Sequence, residues 1–89
     1  MSAKSIYKPE YKVLRRLLFE MRDAAGLKQK EMASKLQRPQ SYISAVERGR
    51  RRIDLLQLRE YCLACDQGVV DFVRRFEDEI AAGSGQLPQ

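Results

Sequence analysis

Histidine and tryptophan are absent from this 89-residue chain, and proline, glycine and cysteine are scarce at 3, 5 and 2. Without histidine the usual proton-transfer residue at neutral pH is missing. Neither a Cys2His2 nor a Cys3His zinc site can then be assembled within one chain. Cys62 and Cys65 make a lone C-x-x-C with no second pair, and that spacing alone supports neither zinc nor redox chemistry. The few glycines form no phosphate-cradling loop, and no nucleophile motif is present. Catalysis, a metal and a cofactor are therefore not expected. No stretch reaches the roughly 18 apolar residues a membrane-spanning helix needs. Lys4 and Lys8 precede no apolar segment of the kind a secretory signal carries. A cytoplasmic, reducing location is the expectation. Runs of β-branched residues are also few, whereas Leu, Ala, Arg, Lys, Glu and Gln abound, which favours helices.

What is present is positive charge, unevenly placed. The formal net charge is +5. Residues 1–27 carry +3, residues 28–52 carry +6 and residues 53–89 carry −4. A cationic module thus precedes an acidic half, which suits one face for a polyanion and another for a different partner.

Helical spacing organises most of the chain. Residues 1–8 read as a short polar arm, 9–80 as one domain, and 81–89 as a flexible tail by composition. Pro9 fits the first turn of a helix. Tyr11, Leu14, Leu18, Met21 and Ala25 then recur on one face until Gly26 supplies a left-handed stop. A second helix is predicted over 29–36 and a third over 40–48, joined by Gln37-Arg38-Pro39. Asp54 caps a fourth helix reaching Cys65, and Gly68 separates it from a fifth carrying Val69, Phe72, Val73, Phe76 and Ile80. The expected fold is an all-α five-helix bundle. Its expected core is Leu14, Leu17, Leu18, Met21, Leu27, Met32, Ala33, Leu36, Ile43, Val46, Leu55, Leu58, Cys62, Cys65, Val69 and Phe72.

Two short helices on a three-residue turn have the spacing of a helix-turn-helix whose second helix enters a major groove. A helix as short as the third is unstable alone, so the second must support it. Its outer residues Gln40, Ser41, Ser44 and Ala45 are small or amide-bearing and could approach base edges. Lys28, Arg38, Arg48, Arg50, Arg51 and Arg52 flank it and could neutralise phosphates on both groove walls.

The run Leu17-(x)8-Gly26-Leu27-Lys28-Gln29-Lys30-Glu31-Met32-Ala33, then Ser41-Tyr42-Ile43-Ser44-Ala45-Val46-Glu47-Arg48-Gly49-Arg50-Arg51, closely resembles the Cro and lambda-repressor-like (XRE-type) helix-turn-helix family. The likeness runs from about Tyr11 to Phe76. It implies five helices, a double-stranded DNA operator and a homodimer. It also implies that Gln29 opens the second helix, contacts a phosphate and buttresses Gln40. Gln40 and Ser41 then match base-reading positions, and Ser44 and Ala45 later groove-facing ones. Glu47 matches an acid that pairs with an arginine late in the first helix, here Arg22. Three positions depart from the pattern. Gln37 stands where a small turn residue is usual, with strain of about 1 kcal/mol expected at positive φ. Pro39 and Lys28 stand where Ser or Thr often caps the third and second helices, so both caps are lost.

Plainer readings stand beside these. The basic segment could be a solvated face, Arg50-Arg51-Arg52 a solubility loop, and Gln40 and Ser41 ordinary helix surface. Cys62 and Cys65 fit small buried hydrophobes. Glu77-Asp78-Glu79 point in different directions and fit solvation. The fifth helix could close the core and also form a dimer seam. Three functions fit these features. The first is a transcriptional regulator, a repressor by operator occupancy. The second is an antitoxin-type protein that binds a partner through its acidic half, Asp66 to Ile80, as well as DNA. The third, RNA binding, has only Tyr42 as a stacking aromatic in the basic region.

Overall fold

A computed structural model describes residues 8–83. Apart from Lys8 and residues 81–83, the expected arm and tail lie outside them. Five helices follow in order: α1 (Pro9–Ala24), α2 (Gln29–Leu36), α3 (Gln40–Glu47), α4 (Leu55–Ala64) and α5 (Val69–Ala81). The described residues contain no strand. The all-α five-helix architecture is as expected from the spacing.

Each boundary has a local cause. Proline occupies the first turn of α1, where its missing N–H costs nothing. Gly26 ends that segment at φ 75°, a conformation open to glycine without strain. Asp54 accepts from the Gln57 N–H at 2.7 Å, while the Gln57 side chain accepts from the Asp54 N–H at 3.0 Å. That reciprocal pair satisfies two orphan donors at the start of α4. The α2 start is weaker. Lys28 has no side-chain acceptor, and only the return bond forms, from the Lys28 N–H to Glu31 Oε1 at 2.8 Å. Pro39 leaves α3 with no side-chain cap. Gln37 ends α2 at φ 55°, ψ 45°, the left-handed region in which a non-glycine residue carries strain of about 1 kcal/mol.

Helix α1 packs on α3 and α5, α2 on α3 and α4, and α4 on α5. Between them lie Val13, Leu17, Leu18, Met21, Met32, Ala33, Tyr42, Ile43, Val46, Leu58, Tyr61, Cys62, Cys65 and Phe72. Each large side chain here contributes about 1.5–3 kcal/mol of apolar transfer. The buried stripe of α1 is rotated from the expected one. Val13 and Leu17 lead it, Tyr11 and Leu14 are half-buried, and Ala25 is exposed. Leu27, Leu36 and Val69 are likewise only half-buried, packed at the edge of this cluster.

One expected core residue is not in the core. Leu55 is 72% exposed. It keeps helical register with Leu58, but burial on α4 begins at Leu58 and continues through Tyr61, Cys62 and Cys65. The first turn of α4 projects past the packed layer. Val73 on α5 is also exposed, unlike Phe72 one residue before it.

Candidate nucleic-acid interface

The supporting frame is a buried polar cluster centred on Glu47, the last residue of α3. Arg22 of α1 donates from Nε to Glu47 Oε2 at 2.7 Å and from Nη2 to Oε1 at 3.0 Å. The Gln29 amide nitrogen donates to Oε1 at 3.1 Å, and the Tyr61 hydroxyl donates to Oε2 at 3.0 Å. Arg22 also donates from Nη1 to the Leu27 carbonyl at 2.7 Å. The Arg22 and Glu47 side chains are only 9% and 7% exposed. The bidentate hydrogen bonds to Glu47 raise the Arg22 guanidinium pKa further above its ordinary value, despite burial. Burial, with the neighbouring Glu47 charge behind it, pushes the Tyr61 phenol far up. It therefore remains a neutral donor at any physiological pH.

This cluster ties α3 to α1, α2 and α4 at once. Helical spacing within α4 offers a signal for Tyr61, three residues after Leu58 and beside Cys62, although Tyr61 is not among the expected core residues. Gln29 is half-buried and turned toward Glu47. Among the described residues no hydrogen bond joins it to Gln40.

The outer surface of α3 carries the other expected positions. Gln40 and Ser41 are exposed at its start, and Ser44 and Ala45 are half-exposed one turn later. Tyr42, Ile43 and Val46 face inward. Amide and hydroxyl groups on an exposed helix face can hydrogen-bond base edges. Lys28, Arg48, Arg50, Arg51 and Arg52 are exposed around it, and Arg38 is half-buried.

The loop after α3 is held in place. Arg50 and Arg51 donate their N–H groups to the Ala45 carbonyl at 2.8 and 3.2 Å. The Tyr11 hydroxyl donates to the Arg51 carbonyl at 3.3 Å. Arg15 of α1 donates from Nη1 to the Arg48 carbonyl at 2.9 Å, placing a cation at the negative end of α3. Gly49 is buried at φ 76°, and a Cβ there would sit 3.1 Å from Arg15 Cδ and Nε. Glycine is needed here for its backbone angle and for the space Arg15 fills. Nothing in the spacing pointed to Arg15, because its role arises only when α1 crosses the end of α3.

Elsewhere, arginines are committed to acids. Arg16 meets Glu20 at 3.0 Å and Glu79 at 2.6 Å, Arg75 meets Glu20 at 2.7 Å, and Arg74 meets Asp71 at 3.6 Å. No ion pair joins a cation of residues 28–52 to an acid among the described residues.

A family model described as a helix-turn-helix domain matches residues 13–72. A solved structure described as an XRE-family like protein from Pseudomonas syringae pv. tomato str. DC3000 is 36% identical. That match covers 84% of this chain and 92% of the other, with a TM-score of 0.77. The chain belongs to the XRE-type helix-turn-helix family. The clp gene regulator ClgR from Corynebacterium glutamicum is also similar. It is 25% identical, and the match covers 81% of this chain and 77% of that one at a TM-score of 0.71. No curated protein matches the chain. Within this helix-turn-helix domain, α2 and α3 are the paired helices and Gln37-Arg38-Pro39 is the turn.

Cys62 and Cys65 are free and buried, with Cys65 Sγ 4.0 Å from Met32 Sδ. Burial pushes the Cys62 thiol up to about 11 and raises that of Cys65. Both sit in the core as small apolar side chains. Among the described residues, no group of three or more His, Cys, Asp or Glu is placed to hold a metal ion. No helix among them is long and apolar enough to cross a membrane.

Proposed function

We propose that this helix-turn-helix protein is a sequence-specific, double-stranded DNA-binding transcriptional regulator that occupies an operator as a homodimer and represses by that occupancy. One observation carries the reading. A neutral face, with Gln40 and Ser41 exposed and Ser44 and Ala45 half-exposed, stands on α3 between cations that pair with no acid among the described residues. In this reading those four residues read base edges. Lys28, Gln29, Arg38, Arg48, Arg50, Arg51 and Arg52 hold the sugar-phosphate backbone. Neutralised phosphates release counterions, so binding should weaken steeply with salt. Arg22 and Glu47 are structural in this scheme and fix the angle of α3. ClgR, described as a gene regulator, supports the regulatory role, and no chemistry on the DNA is required.

A second copy fits this reading. One short helix reads only a few base pairs, and a two-fold pair of such helices reads two half-sites about one helical turn apart. Val70 and Val73 remain open on α5 and fit an isologous contact. The alternative, a different protein held by the acidic C-terminal half, has less support. Glu79 is engaged by Arg16, and Asp71 by Arg74. RNA binding by base stacking loses its aromatic, because Tyr42 is only 6% exposed.

Selection of bound duplexes from a random pool at stated salt tests the reading. The expected result is a two-fold symmetric motif. On that motif Gln40→Ala should lose about 1–3 kcal/mol of discrimination at one or two base pairs. Arg51→Ala should weaken every duplex alike and lower the salt slope by about one. Recovery of no motif, or a preference that Gln40→Ala leaves intact, would remove α3 as the reader.

A further inference from the structure

Tyr42 is the third residue of α3, and its ring is covered by two arginines from different segments. Arg38, in the turn before α3, has its guanidinium carbon 4.5 Å from the ring centroid. Arg51, in the loop after α3, has its own at 4.9 Å. Both backbones are anchored. The Arg38 N–H donates to the Ala33 carbonyl at 3.0 Å. Arg51 is held through Ala45 and Tyr11, as described above. Burial raises the Tyr42 pKa, with the two arginines opposing it and Glu60 and Asp54 adding to it. The phenol is thus neutral, and the ring face rather than a phenolate holds the cations.

A guanidinium that stacks by its face keeps its N–H donors in the plane, directed away from the ring. Among the described residues neither Arg38 nor Arg51 forms an ion pair, although Asp54 and Glu60 lie near enough to act on Tyr42. Arg16, Arg22, Arg74 and Arg75 all reach a carboxylate. Two long side chains from different segments are therefore gathered in advance on one ring of the recognition helix, with their donors unspent. A planar, bidentate acceptor such as a phosphodiester suits them.

We propose that Tyr42 is a positioning residue for DNA-backbone contact: its ring holds Arg38 and Arg51 together, ready for the phosphates beside α3. This rests on the duplex-binding reading above. Tyr42 itself touches no nucleotide. It sets where the two cations stand, and so it acts on the non-specific part of binding and leaves base preference alone.

Affinity for the selected duplex and for a scrambled one, titrated across salt, tests this. Tyr42→Phe keeps the ring and should bind as the parent does. Tyr42→Leu should bind both duplexes about tenfold more weakly at low salt, with the salt slope lower by about one or more and the sequence preference unchanged. In an Arg38→Ala, Arg51→Ala background, Tyr42→Leu should cost nothing further. Parental affinity and slope in a folded Tyr42→Leu protein would overturn the proposal. So would an equal loss in the background lacking both arginines, since the ring would then act through α3 itself. If Tyr42→Leu does not fold, the Arg38→Lys, Arg51→Lys protein decides. It leaves the core untouched and preserves charge while losing the planar stack. About fivefold weaker binding supports the proposal, and parental binding refutes it. If the parent holds neither duplex, the functional reading falls, and this proposal falls with it. Parental binding with unaltered variants sinks this proposal alone.

Discussion

Glu47→Ala removes the acceptor on which four hydrogen bonds converge, two from Arg22 and one each from Gln29 and Tyr61. The Arg22 guanidinium would keep only the Leu27 carbonyl while remaining buried. Stranding one partner of a buried ion pair costs about 3–5 kcal/mol. The Tyr61 side chain is fully buried, and an orphaned buried hydroxyl adds about 1–3 kcal/mol where water cannot reach it. Partial relaxation of Arg22 toward solvent offsets some of this, so a net loss of about 4 kcal/mol is expected. A domain of this length has about 4–13 kcal/mol in total. The substitution should therefore bring it near the edge of folding. Urea unfolding followed by helical circular dichroism reads this directly. With a slope of about 1–1.5 kcal/mol per molar, the midpoint should fall by about 3 M. The pair Arg22→Met and Glu47→Leu should be less damaging than Glu47→Ala alone, because no charge is then left buried. A loss below about 1 kcal/mol for Glu47→Ala would refute the reasoning, since that is how an exposed pair behaves.

Gln37→Gly should stabilise the protein by about 0.5–1 kcal/mol, since φ 55° at the end of α2 suits glycine and strains glutamine; thermal unfolding checks it, and any loss of stability would show the turn to be unstrained. Alkaline pH should destabilise the fold. The Cys62 thiol rises from 9.0 to about 11 on folding, so between those values the unfolded chain has lost a proton that the native chain retains. The protection is complete below about pH 9 and declines by roughly 2 kcal/mol toward pH 11. Raised values at Tyr61 and Cys65 act in the same direction. Urea midpoints at pH 8 and 10.5 should differ, and Cys62→Ala should flatten the difference; an equal slope in both proteins would acquit this thiol. Leu55→Ser should change stability by less than about 0.5 kcal/mol, because the side chain is 72% exposed, and a larger loss by the same unfolding assay would return it to the core.

The Glu47 cluster and the outer face of α3 divide the work of one short helix. Eight residues cannot hold a helix in water alone, and α3 lacks a side-chain cap. Its inner side is therefore locked by Ile43, Val46 and Glu47, and its C-terminal carbonyls are taken by Arg15 and by the backbone of the following loop. Gln40 and Ser41 can then stay exposed without the helix fraying around them.

Local chemistry, which the sequence carries by itself, determined the helices. Pro9, Gly26, Asp54 and Gly68 act on their immediate neighbours, and 3.6-residue spacing gives the rest. The length of the turn and the charge asymmetry are local too, so the helix-turn-helix was legible from Gly26 to Arg52. Where the chain returns on itself, spacing lost its power. It could not distinguish Val13 from Leu14 as the deeper residue, since both lie within one broad face of α1 and only the crossing angles with α3 and α5 select between them. It placed Leu55 inside because register says nothing about how far a neighbouring layer extends. Arg15 on the Arg48 carbonyl, Tyr61 on Glu47, and Arg38 and Arg51 on Tyr42 were decided by tertiary structure alone. Each joins residues 4 to 33 positions apart across separate segments, and no helical or turn periodicity encodes which groups packing will bring into contact.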